Sequence, residues 1–181
     1  MFDIRNSMRA SFQQFNAIRH MHAKDFPPDT HFWDIVVLTA SNNDQKEAFE
    51  AQLRGKISGH EIPSGIGYHV FSDPVGPRTG CGGGTMLAVT ELESLYSSEE
   101  LKKKYILLIN AGGWSQRLPS TSVLGKVFMA LPIAVSAEFP NWQVLELKLA
   151  CYLPLRARMK PGYLHVASDT IEVWYIGHHY T

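Results

Sequence analysis

The sequence predicts an α/β fold: a three-layer domain with a mostly parallel sheet covered by helices on both faces. Three observations predict it. Short apolar, partly β-branched runs recur at 33–39, 68–71, 105–109 and 163–168, each too short for a helix and suited to a buried strand. Helix-length segments separate them, and strands joined through helices pair in parallel. Glycine-rich turns at 79–85 and 110–113, and Asp169 at the end of the last run, belong at the carboxyl edge of the strands, where such sheets hold ligands.

Residues 1–31 read as an N-terminal helix and linker. Met8, Phe12, Phe15, Ile18 and Met21 recur at near-helical spacing, and Pro27-Pro28 ends the segment. This stretch is basic, with Asp3 its only acid before Lys24. It lacks the apolar core of a secretory signal. A mitochondrial presequence is the alternative to a helix packing one stripe on the domain, and the packed helix is the preferred reading.

Residues 32–181 form the α/β domain. After the first strand, Ser41, Asn42 or Asn43 caps a helix that runs to Leu53, with Glu47 near the reciprocal capping position. Residues 55–67 read as a polar loop. Past the second strand and the first glycine loop, Leu87, Val89, Leu92 and Leu95 mark a helix over 86–96. The third strand, Tyr105–Ile109, runs into the second glycine loop. Asn141 caps a further helix that stops near Pro154, and Lys160-Pro161-Gly162 turns into the last strand.

Composition limits the partners. Hydrophobic residues make 45% of the chain and charged residues 19%, the balance of a water-soluble globular domain. Seventeen basic side chains meet seventeen acidic ones, so no net field argues for nucleic acid. No apolar run approaches a membrane span. Cys81 and Cys151 make no disulfide framework, which suits a reducing, cytoplasmic setting.

The chemistry sits in the glycine turns. Gly82, Gly83, Gly84 and Thr85 offer backbone N–H groups to an anion, with the following helix aiming its positive end inward. Gly112 and Gly113 let a second turn close over phosphates. Arg117 and Lys126 follow as an ordered pair of cations. No Walker loop is present, since Ser120 stands five before Gly125 and Val127 follows Lys126. The dinucleotide fingerprint also fails, because Thr85 occupies the position of its third glycine. Cys81 reads as a small loop residue, and the spacing of His165, His178 and His179 matches no zinc pattern.

These segments, taken in order, resemble the L-fucose-1-phosphate guanylyltransferase (GDP-L-fucose pyrophosphorylase) family and the guanylyltransferase part of bifunctional fucokinases. The resemblance is carried by 33–40, 68–74, 82–85, Gly112-Gly113-Trp114-Ser115-Gln116-Arg117-Leu118-Pro119, Gly125-Lys126, 145–150 and Ala167-Ser168-Asp169. It implies the nucleotide-diphospho-sugar transferase fold, truncated to an N-terminal part, because members of the family continue further. It implies transfer of GMP from GTP to L-fucose 1-phosphate, giving GDP-L-fucose and pyrophosphate. It further implies that Arg117 neutralises the β- and γ-phosphates, that Lys126 holds the α-phosphate or sugar phosphate, and that Asp169 ligates Mg2+. The family often has a second acid after that aspartate, and here Thr170 stands there with Glu172 nearby. A non-catalytic GTP-binding or regulatory role, and a pyrophosphorylase for another sugar 1-phosphate, are the competing readings.

Overall fold

The computed structural model describes residues 4–76, 80–113, 124–131, 142–170 and 172. Strand β1 spans Ile35–Ala40 and is buried at every position. Helix α2, Asn43–Ser58, follows it and leads to β2, Gly67–Ser72. Helices α3, Gly80–Leu95, and α4, Ser98–Leu101, connect β2 to β3, Tyr105–Asn110. Helices α5, Val144–Cys151, and α6, Leu153–Arg156, precede β4, Gly162–Ala167. Helix α1, Ile4–Ile18, stands ahead of them all.

All four strands are parallel, in the order β2-β1-β3-β4. The β1–β3 register sets Val36 against Leu107 and Leu38 against Ile109. Alternation along the strands then divides the core. Val36, Leu38, Val70, Leu107 and Ile109 share one apolar cluster with Phe15, Phe49, Leu53, Leu145 and Leu149, so α1, α2 and α5 cover that face. Ile35, Val37, Phe71, Ile106 and Leu108 share the other with Ala88, Leu92 and Leu101, so α3 and α4 cover the opposite face. The three-layer expectation holds.

The N-terminal helix packs as expected. Phe15 and Ile18 are buried, and Phe15 meets Trp142 edge-on at 5.5 Å between ring centres. Asn42 is the cap of α2, accepting from Gln45 N at 2.8 Å. The reciprocal contact comes from Gln45, not Glu47: Ser41 N donates to Gln45 Oε1 at 2.8 Å. Capping needs the side chain one turn in, and Glu47 lies too far along.

Three further expectations are corrected. Helix α2 continues through Gly55 to Ser58, because Lys56 finds buried partners that reward another turn. The cap of α5 is Gln143, whose N–H meets Glu146 Oε2 at 2.9 Å; Asn141 lies outside the described residues. Helix α3 presents Gly84, Ala88 and Leu92 to the sheet, a stripe at i, i+4 and i+8 whose small residues admit close packing. Leu95 is exposed.

Helix α5 is buried from Val144 to Ala150, with Glu146 and Lys148 included. Glu146 is 1% exposed and pairs with Lys56, itself buried, which also reaches Glu61 Oε2 at 2.9 Å. Desolvation raises the Glu146 carboxyl above its ordinary range, and Lys56 opposes that shift. Removing one member of such a pair strands a buried charge. Lys56→Met should therefore destabilise the fold by about 3–5 kcal/mol, whereas Lys56→Met with Glu146→Leu should recover most of the loss. Urea unfolding of the two variants checks this.

Candidate functional site

Parallel strands place their carboxyl ends on one side, and a cavity of about 380 Å³ opens there. Thr39, Ala40 and Ser41 come from the end of β1, Asp73 from β2, Asn110 to Gly113 from β3, and Ala167 to Asp169 from β4. Gly80, Cys81 and Gly84 of α3 and Lys126 complete the lining. Polar backbone, two carboxylates and an ammonium group thus share one space with few apolar side chains.

The first glycine run is not a loop. It is the opening of α3, which starts at Gly80 rather than after Thr85. The run folds as helix because Gly84, Ala88 and Leu92 must reach the sheet together. The anion-seeking N–H groups therefore move toward the start of the run, since a helix leaves its first-turn donors unused by its own ladder. Gly84 lines the cavity; Gly82, Gly83 and Thr85 do not. Thr85 Oγ1 instead donates to Cys81 O at 2.8 Å, within the helix.

The second turn stays where it was expected. At Gly112 a Cβ would stand 2.8 Å from Ala40 C and 2.9 Å from Ser41 N. Only glycine lets the end of β3 come this close to the end of β1. Gly113 lines the cavity beside it. Arg117 lies outside the described residues, as do Trp114 to Pro119.

Lys126 opens a short 3-10 turn, Lys126–Phe128, that is anchored from below. Gly125 has a φ of +78° and its missing Cβ would run into the Phe49 ring. Val127 and Phe128 are buried, with the Phe128 ring 5.3 Å from that of Phe49. An isolated bridge, Ala130 to Gln143, ties the turn to the start of α5. Thus fixed, Lys126 Nζ donates to Asp169 Oδ2 at 2.8 Å. That hydrogen bond holds the Asp169 carboxyl below its ordinary range. Both side chains keep substantial exposure, 40% and 53%, so either group remains open to a guest.

Glu172 does not stand beside Asp169 as a second acid. Its Oε2 accepts from Lys148 Nζ at 2.8 Å and from Tyr152 Oη at 2.5 Å, and Thr170 Oγ1 donates to its other oxygen. Partial burial pushes this carboxyl up, but the hydrogen bonds from Lys148, Thr170 and Tyr152 outweigh it and hold it at about 2. The second cavity carboxylate is Asp73. A sequence signal for it existed: Asp73 follows the end of β2 as Asp169 follows the end of β4. The two carboxylates stand beyond opposite edges of the sheet, β2 and β4, so a hard cation at Asp169 would fill its shell with phosphate and water oxygens. No cluster of three or more His, Cys, Asp or Glu forms among the described residues, so such an ion would draw on the guest for its other ligands.

His165 is less isolated than its spacing suggested. Its Nε2 meets Asn110 Nδ2 at 2.6 Å and Thr85 Oγ1 at 3.2 Å. This contact bridges β3, β4 and α3 at the rim of the cavity. His178 and His179 lie outside the described residues.

Residues 98–179 match the fucose pyrophosphorylase domain family. The chain is 47% identical over 146 residues to fucose-1-phosphate guanylyltransferase of Homo sapiens, and 44% identical over 146 residues to that of Mus musculus. Each match covers 81% of this chain, and 23% and 24% of the two relatives. The bifunctional fucokinase/GDP-fucose pyrophosphorylase of Arabidopsis thaliana is 28% identical over 162 residues, covering 78% of this chain and 15% of that protein. The chain thus spans about a quarter of the length of the guanylyltransferases it matches. No solved structure matches. No helix among the described residues is long and apolar enough to cross a membrane.

Three outcomes are expected. Gly112→Ala should cost about 1–3 kcal/mol, since the added methyl meets backbone that has nowhere to go. Gly82→Ala should be tolerated, because nothing lies within 4 Å of the added carbon; paired thermal melts compare them. The bonds on Glu172 should contribute stability that is complete above its ordinary value of 4.5 and that is lost as pH falls through about 2. The stability gap between the wild type and Glu172→Gln, followed down that range, measures the effect.

Proposed function

Because the chain belongs with the fucose-1-phosphate guanylyltransferases, we propose that its cavity holds GTP for transfer of GMP to L-fucose 1-phosphate, with GDP-L-fucose and pyrophosphate as products. One observation carries the reading. The opening of α3, the Gly112 turn, Lys126 and Asp169 come from four distant stretches and line one cavity at the carboxyl edge of the sheet.

The chemistry asks for little beyond charge and placement. A sugar phosphate oxygen attacks the α-phosphorus in line, the P–O bond to the β-phosphate breaks, and pyrophosphate leaves with the electron pair. The nucleophile is already ionised near neutral pH, because the second pKa of a phosphate monoester is about 6. No strong general base is needed, and repulsion among anions is the main barrier. Lys126 supplies a full positive charge to the α-phosphate or sugar phosphate. The head of α3, which lines the cavity at Gly80, Cys81 and Gly84, supplies the partial positive charge of a helix N-terminus. Gly112 and Gly113 keep side chains out of the path of the phosphates. Arg117 takes the departing pyrophosphate, a role that rests on the resemblance.

Asp169 would hold Mg2+, which neutralises phosphate charge when bound; Asp73 lines the same cavity from the opposite edge of the sheet. Cys81 and Cys151 are both free thiols, which suits the reducing cytoplasm in which we place the activity.

Pyrophosphate release from the full chain with GTP, Mg2+ and L-fucose 1-phosphate tests the proposal. Lys126→Ala should weaken GTP binding about tenfold or more, the scale of one lost charge-assisted contact. Turnover that prefers another sugar 1-phosphate would reassign the acceptor. GTP binding without turnover would leave a binding role only. A chain that binds no GTP would overturn the reading.

A further inference from the structure

We propose that Lys148 is a positioning residue: from inside α5 it clamps the segment after β4 and thereby sets Asp169 against Lys126 in the cavity. The inference deepens the functional reading above and rests on it for the role of Asp169.

Lys148 lies outside the cavity lining, and its side chain is 2% exposed. A buried ammonium group is costly unless each donor is used. This one has three acceptors for three N–H bonds: Glu172 Oε2 at 2.8 Å, Tyr152 Oη at 3.2 Å and Thr170 Oγ1 at 3.3 Å. Tyr152 belongs to the turn that ends α5. Thr170 and Glu172 belong to the segment directly after Asp169. The ammonium group therefore stitches that segment to the helix at two points within three residues of the carboxylate.

On the other side Ser168 N donates to Asn110 O at 3.2 Å and tethers the segment to the end of β3. Asp169 sits between this tether and the Lys148 clamp. Lys126 reaches it from a turn that is bridged to the residue before α5. Both halves of the Lys126–Asp169 pair are thus referenced to the same helix, one from each end. Release of the clamp removes the support on the Asp169 side alone.

The test uses Lys148→Met combined with Glu172→Gln, which leaves no uncompensated buried charge. Two readouts are taken on the full chain. The first is hydrogen exchange. Deuterium uptake should rise severalfold in peptides covering 168–172, while α5 and β3 keep their protection. Unchanged uptake at 168–172 would overturn the proposal whether or not GTP binds. The second is GTP affinity in a double-mutant cycle with Asp169→Asn. The paired variant should weaken binding about tenfold alone and less than twofold when Asp169→Asn is already present, since it acts through that carboxylate. Losses that multiply would assign Lys148 a structural role only and overturn the proposal. If the wild-type chain binds no GTP, the functional reading fails by itself, and the exchange result alone decides the clamp.

Discussion

An eight-residue helix with no solvent face governs how this molecule is put together. Helix α5 carries Glu146 and Lys148 in an otherwise apolar stretch, and all its residues from Val144 to Ala150 are buried. Residues two apart on a helix point to widely separated directions. One charge accordingly meets Lys56 of α2, 90 positions away in sequence, and the other meets Glu172, 24 positions away. A buried pair adds little net stability, but a wrong arrangement that leaves one member alone is expensive. The two charges therefore act less as glue than as a key. They admit one seating of the helix between α1, α2 and the sheet.

That seating matters for the cavity, because the cavity has no floor of its own. Its walls are strand ends and turns held by what packs beneath them. Phe49 and Phe128 support Lys126 from the α2 side. The backbone contact at Gly112 keeps β3 level with β1. Thr85, Asn110 and His165 join the opposite layer to the rim. The all-parallel topology brings the strand ends together, and the two helical layers decide how far apart they stand.

Much of this was legible in the sequence. The four apolar runs became four parallel strands, and Asn42 capped α2 as its residue type suggests. Gly112, Lys126 and Asp169 met in one cavity, as their place after strands implies. What was not legible depended on contacts between distant residues. Glycine favours turns, so 80–84 read as a loop; tertiary packing of Gly84, Ala88 and Leu92 on the sheet overrode that preference. The extension of α2 past Gly55 rests on Lys56 and its partners in other elements. Lys148 in an apolar run suggests an exposed edge of a helix, and nothing local reveals that Glu172 awaits it. Asp73 was within reach, since it repeats the strand-end position of Asp169, but a proline directly after it made the stretch look like a simple turn.

The glycines at the head of α3 have a thermodynamic consequence. Each glycine in a helix costs roughly 1 kcal/mol relative to alanine, so the stretch Gly80 to Gly84, with four of them, sits near the point where coiled and uncoiled backbone are balanced. A guest that accepts hydrogen bonds from this turn would offset that deficit, coupling occupancy to the winding of one turn. The same absence of side chains that opens this end of the cavity also makes its wall adjustable, so the shape of the space and the winding of the helix vary together.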